Sequence, residues 1–184
     1  MLSQLETQSP AKTMESISTP TDGPTPTQTQ RPAETPNTSP ALTIGQANAL
    51  KSAQSYLELY HFSYERLIEQ LEYEKYSRED AKYAADNCGT DWNEQALEKA
   101  KSYLNTIAFS YKGLTAQLEY EKFTDAQVKY GVDNCGADWN EQAVKKAETY
   151  LKVAAFSRDG LVAQLEYDGF THEQALHGAK ANGY

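Results

Sequence analysis

The sequence predicts an all-α protein. It reads as three tandem units of about 47 residues, each a three-helix, helix-turn-helix-like repeat, behind a disordered Thr/Pro-rich linker. Three observations carry this. "DNCGTDWNEQALEKAKSYL" at 86–104 returns as "DNCGADWNEQAVKKAETYL" at 133–151, with fourteen of nineteen positions identical at an offset of 47. All seven prolines fall between Pro10 and Pro40, and all 13 tyrosines fall after residue 55, so the composition changes abruptly near Ala41. The repeated part carries apolar residues at helical spacing and no alternating run that would call for a strand.

Residues 1–41 form the first segment. "STPTDGPTPTQTQRPAETPNTSP" has no apolar period, so it cannot bury enough surface to offset chain entropy. Proline at this density favours extended conformers, which would let the segment span on the order of 100 Å as a spacer. Met1–Glu6 lacks the charged start and apolar stretch of an export signal, and no run is long enough for a membrane span.

The units are expected at 42–93, 94–140 and 141–184. "LIEQLEY" at 67–73 matches "LTAQLEY" at 114–120 and "LVAQLEY" at 161–167, and "FS" recurs at 62–63, 109–110 and 156–157. In the middle copy, Asp91 with Glu94 predicts a capping box, as does Asp138 with Glu141 in the next. The long helix that follows Asp91 would bury Ala96, Leu97, Ala100, Tyr103, Leu104, Ile107 and Ala108. Ser110 then caps a short helix burying Leu114 and Leu118. Thr124 and Gln127 open a third helix with Val128, Gly131 and Val132 on one face. Asn134, Cys135 and Gly136 end it, with glycine in the left-handed position. A lone unit of this size is marginal, and stacking the copies adds buried surface. The opening segment is therefore a joint, written twice because three units have two joints.

Cys88 and Cys135 occupy equivalent sites, and Asn182 takes that place in the third copy. Sites one repeat apart exceed the ~7 Å that a disulfide tolerates between Cα atoms, so no bridge is expected. His61, His172 and His177 have no common spacing, so neither metal nor cofactor is expected. No nucleophile triad, phosphate loop or H-E-x-x-H motif is present, and the chain reads as non-enzymatic. The net charge is −9, and the three units carry −4, −2 and −1. That balance opposes nucleic-acid binding, and the third helix "SREDAKYAADN" is itself acidic where a DNA reader would be basic. It suits a basic protein partner.

The pattern "FSxxGLxxQLEY…DNCGxDWNEQAxxxAxxYL" across residues 42–184 resembles the Ltp family of host-cell-surface-exposed lipoproteins. The resemblance implies repeated three-helix units and a lipid-anchored outer-surface location. For prophage-encoded members it implies superinfection exclusion, by engaging an injected tail component such as a tape-measure protein. The family's lipid-carrying N-terminal cysteine is not among Cys88 and Cys135, so the membrane would be reached only through an anchor outside this chain.

The expected partner-binding residues are Glu69, Glu72, Tyr73 and Glu74 in the first copy and Glu119, Tyr120 and Glu121 in the second, with Trp92 and Trp139 at the joints. A solvated helix face is the competing reading for the carboxylates. Packing against the preceding unit is the competing reading for the tryptophans. An envelope-associated repeat module without a phage role is the alternative function, and an intracellular DNA binder is a third. A monomer is expected. Limited proteolysis is expected to trim the chain to about residue 40 and then stall, and a stable fragment retaining residues 10–40 would contradict the linker.

Overall fold

Nine helices follow one another without a strand among the described residues, 42–184, of the computed structural model. The expectation of a disordered linker at 1–41 lies outside those residues. The first unit comprises α1 (Ile44–Leu59), α2 (Tyr64–Tyr73) and α3 (Arg78–Asn87). The second comprises α4 (Trp92–Thr106), α5 (Tyr111–Tyr120) and α6 (Asp125–Asn134). The third comprises α7 (Trp139–Val153), α8 (Arg158–Tyr167) and α9 (His172–Ala181).

Every helix begins at a side chain that can accept from its orphan N–H groups. Thr43, Ser63, Ser77, Asp91, Ser110, Thr124, Asp138, Ser157 and Thr171 all do so. Reciprocal capping boxes form where a neutral Thr meets a neutral Gln: Thr43 with Gln46, Thr124 with Gln127, Thr171 with Gln174. The boxes expected at Asp91 and Asp138 are only half made. Asp91 accepts from Asn93 at 2.8 Å and Asp138 from Asn140 at 2.9 Å, but neither Glu94 nor Glu141 returns the bond. A second carboxylate beside the aspartate would be repelled, and Glu141 instead pairs with Lys145 at 2.8 Å.

Within each unit the first and third helices lie closest together, and the second packs chiefly on the third. Small residues make this possible. Ala49 and Ala53 face Ala81, Ala84 and Ala85 in the first unit, all buried. In the second unit a Cβ on Gly131 would stand 2.8 Å from the Ala96 carbonyl oxygen. In the third, Gly178 stands in the same relation to Ala143. The bulk of each core comes from the second helix, through Leu67 and Leu71, Leu114 and Leu118, Leu161 and Leu165, all fully buried. Three separate apolar clusters result, one per unit.

The long helices are shorter than the apolar pattern suggested. α4 ends at Thr106, and Ile107 is extended at φ −143° and 53% exposed. Ser110 caps the next helix three residues on, so the chain must leave the helix, and a β-branched residue tolerates the extended turn. At the other joint, Cys88 and Cys135 end α3 and α6, with Gly89 and Gly136 at φ +76° and +74°. Both are free thiols whose S–H donates to the carbonyl three residues back, Ala85 at 3.3 Å and Val132 at 3.1 Å. Asn182 does the same work in the third unit, its amide donating to Gly178 at 2.9 Å.

The close approach can be tested by filling it. Gly131→Val is expected to destabilise the chain by roughly 2–3 kcal/mol, because the obstructing atoms are α4 backbone rather than a mobile side-chain end. The helix propensity regained, at most about 1 kcal/mol, does not offset that. Urea unfolding of the two proteins measures the difference, and equal midpoints would show that α4 and α6 can move apart freely.

Candidate functional site

The repeated "QLEY" motif closes the second helix of each unit with an acidic residue at its C-terminal cap: Glu74, Glu121 or Asp168. Negative charge at a helix C-terminus is unfavourable, because the macrodipole is negative there. A tyrosine from the long helix compensates. Tyr56, Tyr103 and Tyr150 each donate a hydroxyl hydrogen bond to that acid, the last at 2.6 Å. Each hydroxyl in turn accepts from the motif's glutamine, Gln70 at 3.3 Å, Gln117 at 3.1 Å and Gln164 at 3.3 Å. Burial, then the bond to the acid, pushes Tyr103 and Tyr150 up to about 12.

The turn after the acid carries a left-handed residue, Lys75, Lys122 or Gly169. Its N–H bonds back to the helix, as in Lys75 to Glu72 at 2.9 Å, while Tyr76 bonds Leu71 at 3.2 Å. This is the Schellman pattern, and it leaves the preceding tyrosine projecting outward. Tyr73, Tyr120 and Tyr167 are 78%, 71% and 87% exposed. Each unit thus presents one exposed aromatic ring between carboxylates.

These turns also join the units. The Ser63 hydroxyl donates to the Glu121 carbonyl at 2.5 Å, and the Ser110 hydroxyl to the Asp168 carbonyl at 2.6 Å. Both serines are only 1% exposed. The first joint adds charge. Arg66 donates to the Tyr120 carbonyl at 2.9 Å, lies over the Tyr120 ring at 5.2 Å, and pairs with Glu69 at 3.1 Å. Its Nε is 3.8 Å from Glu121, an ionic contact only. Lys122 bonds Glu69 from the other side, and that bond, with Arg66, holds the Glu69 carboxyl below its ordinary 4.5. The second joint is leaner. Gly113 stands where Arg66 does, and Gly169 where Lys122 does, beside Lys112.

The residues singled out from the sequence are therefore placed unevenly. Glu69, Tyr120 and Glu121 meet at the first joint. Glu72 pairs with Arg78 at 3.0 Å, and Glu74 is bonded by Tyr56. Glu119 is exposed and has no side-chain partner among the described residues. Tyr73 projects freely, close in sequence to Glu72 and Glu74 but far from the Glu119–Glu121 turn along the chain. Trp92 and Trp139 open α4 and α7 and reach back onto the preceding unit. They meet Tyr64 and Tyr111 edge-on, both at 5.5 Å between ring centroids. Each of those tyrosines bonds an aspartate, Asp86 and Asp133, at 2.7 Å. Sequence reasoning passed over Tyr167 and Arg66. The first was legible as the third "QLEY". The second was not, because arginine appears there in one copy only.

No group of three metal-binding side chains occurs among the described residues, and no helix there is long and apolar enough to cross a membrane.

Residues 45–88, 91–135 and 138–179 each match the family described as host cell surface-exposed lipoprotein. The chain belongs to that family. As a host cell surface-exposed lipoprotein it has its place on the outer face of the host cell. No curated protein matches it. Among solved structures, it is similar to Ltp, a superinfection exclusion protein from the Streptococcus thermophilus temperate phage TP-J34. The two are 38% identical, the match covers 50% of this chain and 96% of that one, and the TM-score is 0.48.

The tyrosine clamps predict an alkaline signature. A hydroxyl whose pKa is raised on folding contributes stability that is complete below its unfolded value of 10 and is lost as pH rises towards about 12. Unfolding free energy is therefore expected to fall between those values in the parent, and to fall less in Tyr103→Phe and Tyr150→Phe. Parallel pH profiles for all three proteins would contradict it. At the acid end, the lowered Glu69 carboxyl contributes above its ordinary 4.5, and that contribution is lost as pH falls through its folded value. Glu69→Gln is expected to remove that part of the acid dependence and leave the alkaline part unchanged.

Proposed function

We propose that this surface lipoprotein excludes superinfecting phage, its repeats engaging a basic segment of an incoming tail component and stopping DNA injection. The family supports the surface role, and the 38% sequence identity to the phage TP-J34 protein supports exclusion. The observation that carries the binding mode is the exposed tyrosine at the same position in every unit, Tyr73, Tyr120 and Tyr167, each between two acidic residues. Tyrosine offers a large rigid surface with a polar tip, which suits a contact that must also be wet. The surrounding carboxylates raise the encounter rate with a cationic segment and reject acidic ones. A tape-measure protein is the partner class that this chemistry and the family together favour.

The structure determines which variants test this cleanly. Glu69, Glu74 and Glu121 hold the fold and a joint, so reversing them would confuse binding with packing. Tyr73→Ser and Tyr167→Ser, with Glu119→Lys, leave the cores and the joints untouched, and Tyr120 is kept because Arg66 lies over its ring at the first joint. The combined variant is expected to keep its helical circular dichroism and to lose at least about tenfold in phage exclusion, the scale of one or two interface anchors. Undiminished exclusion by a surface-anchored, folded variant would overturn the tyrosine row as the binding face.

A further inference from the structure

Each joint has two halves. One is the start of a second helix, headed by Ser63 or Ser110. The other is the turn ending the next second helix, Glu121–Lys122 or Asp168–Gly169. Three units make two joints, which leaves one half of each kind unused among the described residues. These are the Ser157 start of α8 and the Glu74–Lys75 turn of α2. Burial records what a joint covers. Ser63 and Ser110 are buried while Ser157 is exposed. Glu121 and Asp168 are half-buried while Glu74 is exposed. Phe123 and Phe170, which follow the covered turns, are buried, and Tyr76 after the uncovered one is only half-buried.

The two unused halves fit each other by the rules of the used ones. Ser157 has its hydroxyl at a helix start, as in both joints. Gly160 repeats Gly113, whose added Cβ would stand 3.5 Å from the Asp168 carbonyl oxygen, so the next backbone has the same room to approach. In the second joint Lys112 adjoins Gly169: a Cβ built on that glycine would lie 3.0 Å from the Lys112 Cβ. The corresponding pair across the unused halves is Asp159 and Lys75, of opposite charge. Asp159 is exposed, and among the described residues it pairs only with its neighbour Arg158, at 3.6 Å. In units one and two a tryptophan meets the tyrosine that follows the joint serine, and in the third unit Tyr184 bonds the Phe156 carbonyl at 2.7 Å.

We propose that the Ser157 socket of one molecule receives the Glu74–Lys75 turn of a second copy, continuing the repeat array head to tail. The contact is heterologous and does not close on itself, so it builds short linear runs rather than a fixed dimer. Few backbone contacts cross an internal joint, so a single joint between separate chains is weak and dilute protein stays monomeric. Confinement on one cell surface raises the local concentration and favours the runs. The inference rests on the joints alone and stands apart from any phage role.

Sedimentation velocity of the full chain, from about 10 μM to about 1 mM, tests it, since that range reaches weak self-association. The weight-average sedimentation coefficient is expected to rise with concentration. Asp159→Lys and Lys75→Glu are each expected to suppress the rise, and the doubly exchanged protein to recover it, all four with the same circular dichroism. A parent that stays monomeric throughout overturns the proposal. So does association that ignores both single exchanges, which would place it on another face. Failure of the double exchange to recover would show that Asp159 and Lys75 do not meet.

Discussion

The close approach of the first and third helices in each unit is the constraint on which the rest depends. Alanine and glycine at Ala49, Ala84, Gly131 and Gly178 let two backbones run nearly in contact. That pair is too narrow to hold a core of its own. The second helix must supply the mass, and its two leucines do so. The C-terminal end of that helix carries the acid, the tyrosine and, in the second and third units, one half of a joint. The proposed interaction surface thus sits on the helix that packing requires.

The acidic residue at that terminus shows how stability and recognition are kept apart. Left alone, a carboxylate there would oppose the helix dipole and cost about as much as a good cap contributes. The tyrosine–glutamine clamp converts it into a structural anchor. The exposed tyrosine one residue earlier carries no such duty at Tyr73 and Tyr167, whereas Tyr120 also lies under Arg66 at the first joint. Neighbouring residues of one motif therefore have separable roles, which is why a carboxylate-reversal experiment and a tyrosine-removal experiment ask different questions.

Much of this was legible in the sequence, because repetition triples every signal. Helix starts were readable from Ser110 and Thr124, and the cores from the leucine pairs and the small third-helix face. What failed were features decided by neighbours in space. Ile107 fits the apolar period of α4 yet lies outside it, since the period does not know that Ser110 must start another helix. The Asp91–Glu94 spacing fits a capping box, but spacing is silent about repulsion between two acids. Arg66 breaks the repeat, so a reading built on what recurs passes over the residue that ties the first joint together. At Glu121 the sequence could identify an acidic surface and could not reveal that Tyr103, Lys99 and Arg66 already surround it.

Because each unit closes its own core, the chain is modular at the level of the gene as well as the fold. The two near-identical segments around Cys88 and Cys135 begin at the end of one third helix and run through the cap of the next first helix. Recombination between their coding sequences would delete or duplicate a whole unit in register, with every cap, clamp and joint reconstituted at the seam. Array length can therefore drift between generations with no intermediate that fails to fold. For a protein on the host cell surface, copy number becomes a trait that selection can adjust in single steps.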